Sequence, residues 1–214
     1  MTAVILANGE FPRKEYPLWL LKNAEILVCC DSARNLGRLQ KLGVEPVAVV
    51  GDMDSISGAA RKALGDRAVK VEEQDYNDLN KAFLWLRKNY PQADDIRILG
   101  ALGRSEAHAL GNLSYLLFWE QQHSLSAAGI KVEMVSDYNT AFAICDSCEL
   151  HVGEGRKLSF FAQDPALRIK TTGLLWPLDE VTFDYWFRGT LNRATDDVVT
   201  LEFNHPGEVL VVLD

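Results

Sequence analysis

Short apolar runs rich in β-branched residues recur through the first two thirds of the chain. They fall at Ala3–Ala7, Glu25–Cys30, Pro46–Val50, Ala68–Val71, Ile96–Leu99 and Lys131–Val135, bounded by Gly, Asp, Asn or Pro. Runs of that length and punctuation predict strands. Between them lie segments whose pattern predicts helices: Tyr16–Asn23, Ala33–Leu42, Gly58–Leu64, Asp78–Asn89 and Glu106–His123. Phe83, Leu84 and Leu86 supply apolar contacts on the fourth, and Leu110, Leu113 and Leu117 on the fifth. Alternating strands and helices predict a largely parallel sheet covered by helices on both faces.

After about Asn139 the helical periodicity stops. Strand-like runs follow at Ala141–Cys145, Lys157–Ala162, Leu167–Thr171, Thr182–Phe187, Val198–Phe203 and Val209–Leu213. Turn residues separate them, including Gly153-Glu154-Gly155, Asp164-Pro165, Gly189 and His205-Pro206-Gly207. This is the pattern of an antiparallel β-sandwich. The fold class is therefore α/β plus all-β, with the boundary in the segment Asn139–Asp146: residues 1–140 form the α/β domain and residues 141–214 the β domain.

Composition narrows the partners. With 214 residues, 48% of them hydrophobic and 24% charged, the chain can bury a sizeable core. A net charge of −8 argues against an extended nucleic-acid footprint. No apolar run approaches the roughly 20 residues that span a bilayer, and the start, Met1-Thr2-Ala3-Val4, enters a strand pattern without a signal-peptide layout. A cytoplasmic protein without membrane attachment is expected. Cys29 and Cys30 sit in an apolar run and read as core thiols. Cys145-Asp146-Ser147-Cys148 lacks the second pair or the histidines of a zinc site and reads as a turn between strands.

The candidate chemistry starts at Val49-Val50-Gly51-Asp52-Met53-Asp54-Ser55. A buried strand ends there in two carboxylates spaced i, i+2. Such a pair repels unless a cation lies between its members, and a hard, oxygen-seeking ion such as Mg²⁺ suits it. Asp31 follows the second strand, and Gln74-Asp75-Tyr76-Asn77-Asp78 follows the fourth and opens a helix. Asp78 by itself also reads as an ordinary helix-start carboxylate. Parallel strands bring their carboxyl ends to one edge, so these groups converge on one crevice. Gly100-Ala101-Leu102-Gly103-Arg104 follows the fifth strand, where glycines let backbone approach a phosphate. Arg104 reads either as a phosphate-neutralising group or as a solvated arginine, and His108 either as a site residue or as an ordinary helix histidine. In the β domain, Trp176 before Pro177 either stacks on a flat ligand or caps the core, and Asn192 either contacts the ligand or satisfies its turn.

With these motifs in order along nearly its whole length, the chain resembles the thiamine pyrophosphokinases. The resemblance rests on Cys30-Asp31, Gly51-Asp52-Met53-Asp54-Ser55, Gln74-Asp75-Tyr76-Asn77-Asp78, Leu99-Gly100-Ala101-Leu102-Gly103 leading to His108 and Asn112, Gly173-Leu174-Leu175-Trp176-Pro177-Leu178, and Asn192. It implies a Rossmann-like domain binding ATP and Mg²⁺, a β-sandwich helping to bind thiamine, and a homodimer with each active site shared between subunits. The reaction it implies moves a diphosphate unit from the co-substrate ATP to the thiamine hydroxyl and releases AMP. Asp52, Asp54 and Asp78 are the implied Mg²⁺ ligands, directly or through water. Asp31, Arg104 and His108 join them as catalytic residues. Gln74, Asn77, Lys81 and Gly103 are the implied ATP contacts, and Trp176 and Asn192 those of thiamine.

Three departures from the family pattern stand out. Asp31 is followed by Ser32-Ala33-Arg34, which keeps the two small residues usual after that aspartate, but Arg34 adds bulk or charge. The Gly-Arg-x-Asp-His segment aligns from the left as Gly103-Arg104 with Glu106 as its acid. From the right it aligns through His108, with Ala107 for the acid and Ser105 for the arginine. A late Ser-Asn pair is Leu191-Asn192 here. These departures motivate the alternative of a thiamine- or thiamine-diphosphate-binding relative with impaired turnover. A phosphatase using Asp52 and Asp54 leaves the β domain and Trp176 unexplained.

Overall fold

The computed structural model describes residues 1–214, which form two compact units. The first comprises Met1–Tyr115 and Gly129–Asp137. Its elements run β1 (Thr2–Leu6), α1 (Glu15–Lys22), β2 (Ile26–Cys30), α2 (Ala33–Leu42), β3 (Ala48–Gly51), α3 (Gly58–Leu64), β4 (Ala68–Lys70), α4 (Asp78–Asn89), β5 (Asp95–Leu99), α5 (Glu106–His123, entering the second unit after Tyr115) and β6 (Lys131–Val135). The six strands pair in parallel in the order β4-β3-β2-β1-β5-β6.

The helices begin where the sequence supplies caps. Ser32, Ser57 and Asn77 accept the backbone N–H three residues on with their side chains, opening α2, α3 and α4. Gly43 closes α2 at φ 68°, the left-handed conformation glycine adopts without strain. Alternation along the strands sends Val4, Leu6, Leu27, Cys29, Val49 and Leu99 to one face, where they pack with Leu20, Leu21 and Leu39 of α1 and α2. On the other face, α4 lies across β2 and β3 and buries Leu79, Ala82, Phe83 and Leu86. The expected helix-covered parallel sheet is present.

β1 pairs with β2 on one side and β5 on the other, aligning Leu6 with both Cys29 and Leu99. The strand order reverses there, and open sheets of this kind bind ligands outside the carboxyl ends at such a reversal.

Two apolar assignments on the helices differ from expectation. Leu84 is 41% and Leu110 51% exposed. On α5 the buried positions are Asn112, Leu116, Trp119 and Glu120, one residue out of phase with Leu113 and Leu117. The buried stripe includes two polar side chains that have partners: Asn112 donates to the carbonyl of Ala101, and Glu120 accepts the N–H of Ser126. A reading that seeks only apolar residues rotates the helix by one position.

The second unit comprises Leu116–Ala128 and Tyr138–Asp214. Its strands are β7 (Thr140–Ile144), β8 (Cys148–His151), β9 (Lys157–Ala162), β10 (Ile169–Thr172), β11 (Gly189–Arg193), β12 (Val198–Phe203) and β13 (Val209–Leu213). One antiparallel sheet has the order β7-β13-β9-β11 and the other β8-β12-β10. Between them Phe160, Leu167, Ile169, Val199, Leu201, Val209 and Val211 are buried, the core of a sandwich.

The strand expected at Thr182–Phe187 is not formed. Only Phe183 of that run is buried, and Arg188 Nε donates to Asp184 Oδ1 at 2.9 Å, closing a turn that ends in a 3₁₀ segment at Trp186–Arg188. Aromatic enrichment imitated a strand. The true strand, β11, is polar because it lies at a sheet edge and buries only Gly189 and Asn192. Leu191 there stands at φ 58° with 69% of its surface exposed, an uncommon conformation for leucine.

Cys145-Asp146-Ser147 forms the connection between β7 and β8, as expected for a turn, and Cys148 opens β8. All four cysteines are free thiols, and burial pushes Cys148 up to about 11 and Cys29 to about 12, the range of inert core groups. No helix is long and apolar enough to cross a membrane.

Candidate active site

The loop after β3 is built around Met53. Its side chain is 2% exposed, inside the core, and its backbone takes φ 69°. Arg61 Nη2 donates to the Met53 carbonyl at 2.6 Å and fixes the turn from outside. With Met53 anchored inward, Asp52 and Asp54 on either side of it turn outward. Asp54 N–H donates to Asp52 Oδ1 at 3.2 Å, Ser55 Oγ to Asp54 Oδ1 at 3.1 Å, and Ser55 N–H to Asp31 Oδ2 at 3.0 Å. Carboxylate oxygens of Asp31, Asp52 and Asp54 lie within 4.8 Å of one another.

Asp31 is 1% exposed, and its Oδ1 has no hydrogen-bond partner. Burial pushes its carboxyl above the ordinary carboxylate range. Ser55 N–H pulls the other way, and the charges of Asp54 and Asp52 add to the rise. A buried, unsatisfied carboxylate oxygen beside two further carboxylates is destabilising unless a cation completes it. Three oxygen donors at this spacing fit a hard divalent ion.

Gly51 brings Asp78 to the same place. A Cβ on Gly51 would lie 2.5 Å from Asp31 Cβ and 3.0 Å from Asp78 Cγ and Oδ2. Asp78 opens α4, with its Oδ1 at 3.6 Å from the buried Lys81 Nζ. Its carboxyl is raised, mainly by burial, with Lys81 opposing and Asp52 and Asp31 adding.

Beside these groups is a cleft of about 520 Å³ at the carboxyl ends of β1, β2 and β5, to which Asp78 contributes. Asn8 and Gly9 form one wall, Gly103, Arg104 and Ser105 another, and His108 and Asn112 of α5 close it. Asn77 donates to Asn112 Oδ1 at 3.0 Å, and Asn112 donates to the Ala101 carbonyl at 2.6 Å. Ser32 Oγ donates to Asn8 Oδ1 at 2.9 Å, which fixes the Asn8 amide from α2.

The second unit presents a different surface. Trp176 is 58% exposed, while Leu174 and Leu178 beside it are buried. The leucines cover the core and the indole does not, which removes the core-capping reading of Trp176. Its position is fixed: Asn192 Oδ1 accepts Trp176 N–H at 3.2 Å, and Asn192 Nδ2 donates to the Trp176 carbonyl at 2.6 Å. Gly173, at φ 76°, has no room for a Cβ, which would lie 2.4 Å from the Val198 carbonyl oxygen. Asn192 thus satisfies the turn and holds the tryptophan.

The family model described as thiamin pyrophosphokinase, catalytic domain, matches residues 18–127, and that described as thiamin pyrophosphokinase, substrate-binding domain, matches residues 140–212. The chain belongs to the thiamin pyrophosphokinase family. It is a transferase, and its reaction passes the diphosphate of its co-substrate ATP to the hydroxyl of thiamine. Among solved structures it is similar in fold to thiamine pyrophosphokinase from Bacillus subtilis, at 22% identity and TM-score 0.78 over 100% of this chain and 99% of that one. The thiamin pyrophosphokinase of Geobacillus thermodenitrificans matches at 21% identity and TM-score 0.76 over 100% and 97%. That of Candida albicans matches at 15% and 0.76 over 99% and 89%. No match is found among curated proteins.

Within this thiamin pyrophosphokinase fold the expected residues separate into groups. Asp31, Asp52 and Asp54 converge, with Asp78 next to them across Gly51. Asn77, Gly103, Arg104 and His108 line the cleft, so the arginine of one alignment and the histidine of the other both reach it. Lys81 is buried against Asp78 rather than in the lining. Gln74 is exposed, donates to the Glu72 carbonyl at 3.3 Å and does not line the cleft. Asn8 escaped the sequence reading. Its signal was a polar Asn-Gly pair directly after the first buried strand, the same position in its strand that Asp31 holds in the second.

Proposed function

We propose that residues 1–140 bind ATP with Mg²⁺, that residues 141–214 bind thiamine, and that the acidic cluster is where the two substrates react. The observation that carries this reading is the buried Asp31 Oδ1, unpartnered among three converging carboxylates beside an open cleft. Asp31, Asp52 and Asp54 would hold Mg²⁺, with Asp78 completing the set directly or through water. When bound, the ion supplies charge neutralisation for the phosphates. The chain's own groups do the rest. Asn77, Gly103, Arg104 and Ser105 receive and orient the phosphate chain in the cleft, where in-line positioning supplies much of the rate. The thiamine hydroxyl attacks the β-phosphorus, AMP leaves with the bridging oxygen, and the hydroxyl proton passes to a carboxylate of this cluster.

Trp176 supports thiamine recognition through its exposed face, since a cationic thiazolium over indole gains cation–π attraction. Trp176→Ala is expected to raise the KM for thiamine about tenfold while leaving that for ATP near its original value. Steady-state kinetics with each substrate varied will measure both. A change confined to ATP would assign the indole to the wrong substrate.

We infer a homodimer on the resemblance and on the exposed side chains Tyr185, Trp186, Phe187 and Leu191, which a second copy of the chain would cover. A cytoplasmic enzyme drawing on the ATP pool agrees with its four free thiols. The test is direct. Purified protein with ATP, Mg²⁺ and thiamine is expected to form AMP and thiamine diphosphate in equal amounts, dependent on thiamine. Binding of thiamine without AMP would instead identify the non-catalytic relative.

A further inference from the structure

At the carboxyl end of β1 two guanidinium groups meet one carbonyl. Arg104 Nη1 donates to the Asn8 carbonyl at 2.9 Å, and Arg34 Nη2 donates to the same oxygen at 3.3 Å. The two Nη atoms are therefore no further apart than the sum of those distances. Arg34 also reaches Asn8 Oδ1 at 3.3 Å and the Gly9 carbonyl at 3.4 Å. Arg38, one turn along α2, adds a third positive charge and lies over the Phe11 ring at 5.0 Å.

Neither Arg34 nor Arg104 is in an ion pair, in a chain whose net charge is −8. Charges of one sign brought together without a counter-ion repel, and Arg34 registers it. Its guanidinium is held below the ordinary value by partial burial and then by the charges of Arg104 and Arg38. The backbone enforces the approach, since Gly103 and Arg104 stand in succession at φ 74° and 66°, a conformation uncommon for arginine. Asn8, Gly9 and Arg104 all line the cleft that Asp78 also lines.

A ligand extending from the carboxylates to these arginines must accept a cation at one end and offer anionic oxygens at the other. Guanidinium forks match phosphate oxygens, and two of them together suit a chain of phosphates better than a single carboxylate. Thiamine, itself a cation, is repelled there.

We propose that Arg34 and Arg104 form a two-arginine clamp for the phosphate chain of the nucleotide, with Arg34 a substrate-positioning residue of this enzyme. The clamp rests on the reading of this cleft as the nucleotide site. Asn8 acts as a placeholder: its carbonyl holds both guanidiniums until phosphate oxygens replace it. Arg34 acts on affinity for the phosphates rather than on the bond that breaks, so its removal falls on the KM for ATP more than on kcat.

The test compares Arg34→Ala, Arg34→Lys and Arg13→Ala with the parent protein. Arg13 pairs with Glu10 at the surface nearby and donates to neither Asn8 nor Gly9, so its removal takes away the same charge without removing a clamp residue. Two quantities are read: the KM values for ATP and thiamine, and the dissociation constant of Mg²⁺–inorganic triphosphate by calorimetry. Arg34→Ala is expected to raise the KM for ATP and to weaken triphosphate binding about tenfold each. Arg34→Lys should recover part of the loss, and the thiamine KM should not move. Arg13→Ala should change neither constant by more than about twofold. Triphosphate binding by Arg34→Ala equal to that of the parent overturns the clamp, as does an equal loss in Arg13→Ala. Should Arg34→Ala fail to fold, Arg34→Lys decides alone: binding equal to the parent overturns the clamp, and a partial loss supports it. Triphosphate binding needs no turnover. A protein that loses this binding with Arg34→Ala yet forms no AMP keeps the clamp and loses the kinase reading, and the reverse result keeps the kinase reading and loses the clamp.

Discussion

Asp54→Asn is expected to lower turnover about 10³-fold while raising the melting temperature measured without divalent ions. The two effects have one origin. Asp54 is exposed, its oxygen lies within 4.8 Å of oxygens of Asp31 and Asp52, and its charge raises the buried Asp31 carboxyl. Removing the charge relieves repulsion among the carboxylates without an ion and takes away one of the proposed Mg²⁺ ligands. Adding Mg²⁺ should therefore raise the melting temperature of the parent protein in proportion to the logarithm of its concentration, and raise that of the variant much less. The hydrogen bond from Ser55 Oγ can be retained by the amide oxygen, so the loop itself should persist. Near-normal turnover in Asp54→Asn would remove Asp54 from the metal set, whereas a fall in melting temperature without Mg²⁺ would show that the cluster is not under electrostatic strain.

Gly51→Ala is expected to cost about 1–3 kcal/mol of stability and to lower activity about 10²-fold. The added methyl would lie 2.5 Å from Asp31 Cβ and 3.0 Å from Asp78 Cγ, and neither neighbour is free to swing away. Asp31 is attached at the end of the buried β2, and Asp78 opens α4 against the same sheet. Both carboxylates must shift, and with them the cluster at which we propose the two substrates react. Gly58→Ala, where an added Cβ meets nothing within 4 Å, is the control and should change neither property appreciably. Chemical denaturation and steady-state assay of the two variants will check this. A Gly51→Ala protein of parental activity would mean that the spacing of Asp31 and Asp78 does not matter to the reaction.

Much of this arrangement can be read in the sequence because periodicity and punctuation act locally. α2, α3, α4 and α5 begin and end where capping residues and strand-flanking turns placed them, and β6, β9, β12 and β13 match their apolar runs residue for residue. The carboxylates at strand ends were legible for the same reason, since parallel pairing turns separate loops into one edge. Legibility failed where tertiary partners outweigh local pattern. β11 is an edge strand with little to bury, so Gly189–Arg193 carries no apolar alternation, and β8, also at an edge, alternates over only the four residues Cys148–His151. On α5, Asn112 and Glu120 are buried because distant backbone groups satisfy them, which composition cannot reveal. The meeting of Arg34 and Arg104 at Asn8 joins residues from three strand ends, and no spacing along the chain announces it.

The amides around the cleft have a consequence for its response to acidity. Asn8 is held by Ser32, the Ala7 carbonyl by Asn35, and Asn77, Asn112 and the Ala101 carbonyl form a relay in which each amide donates to the next oxygen. None of these side chains titrates. These amides are neutral, while Arg104, Asp78 and the neighbouring Asp31 carry charge at the same cleft. As acidity rises, Asp31 and Asp78, whose carboxyls burial raises, should give up their charge while the amide relay keeps its shape, so that acid disarms the cleft before it deforms it.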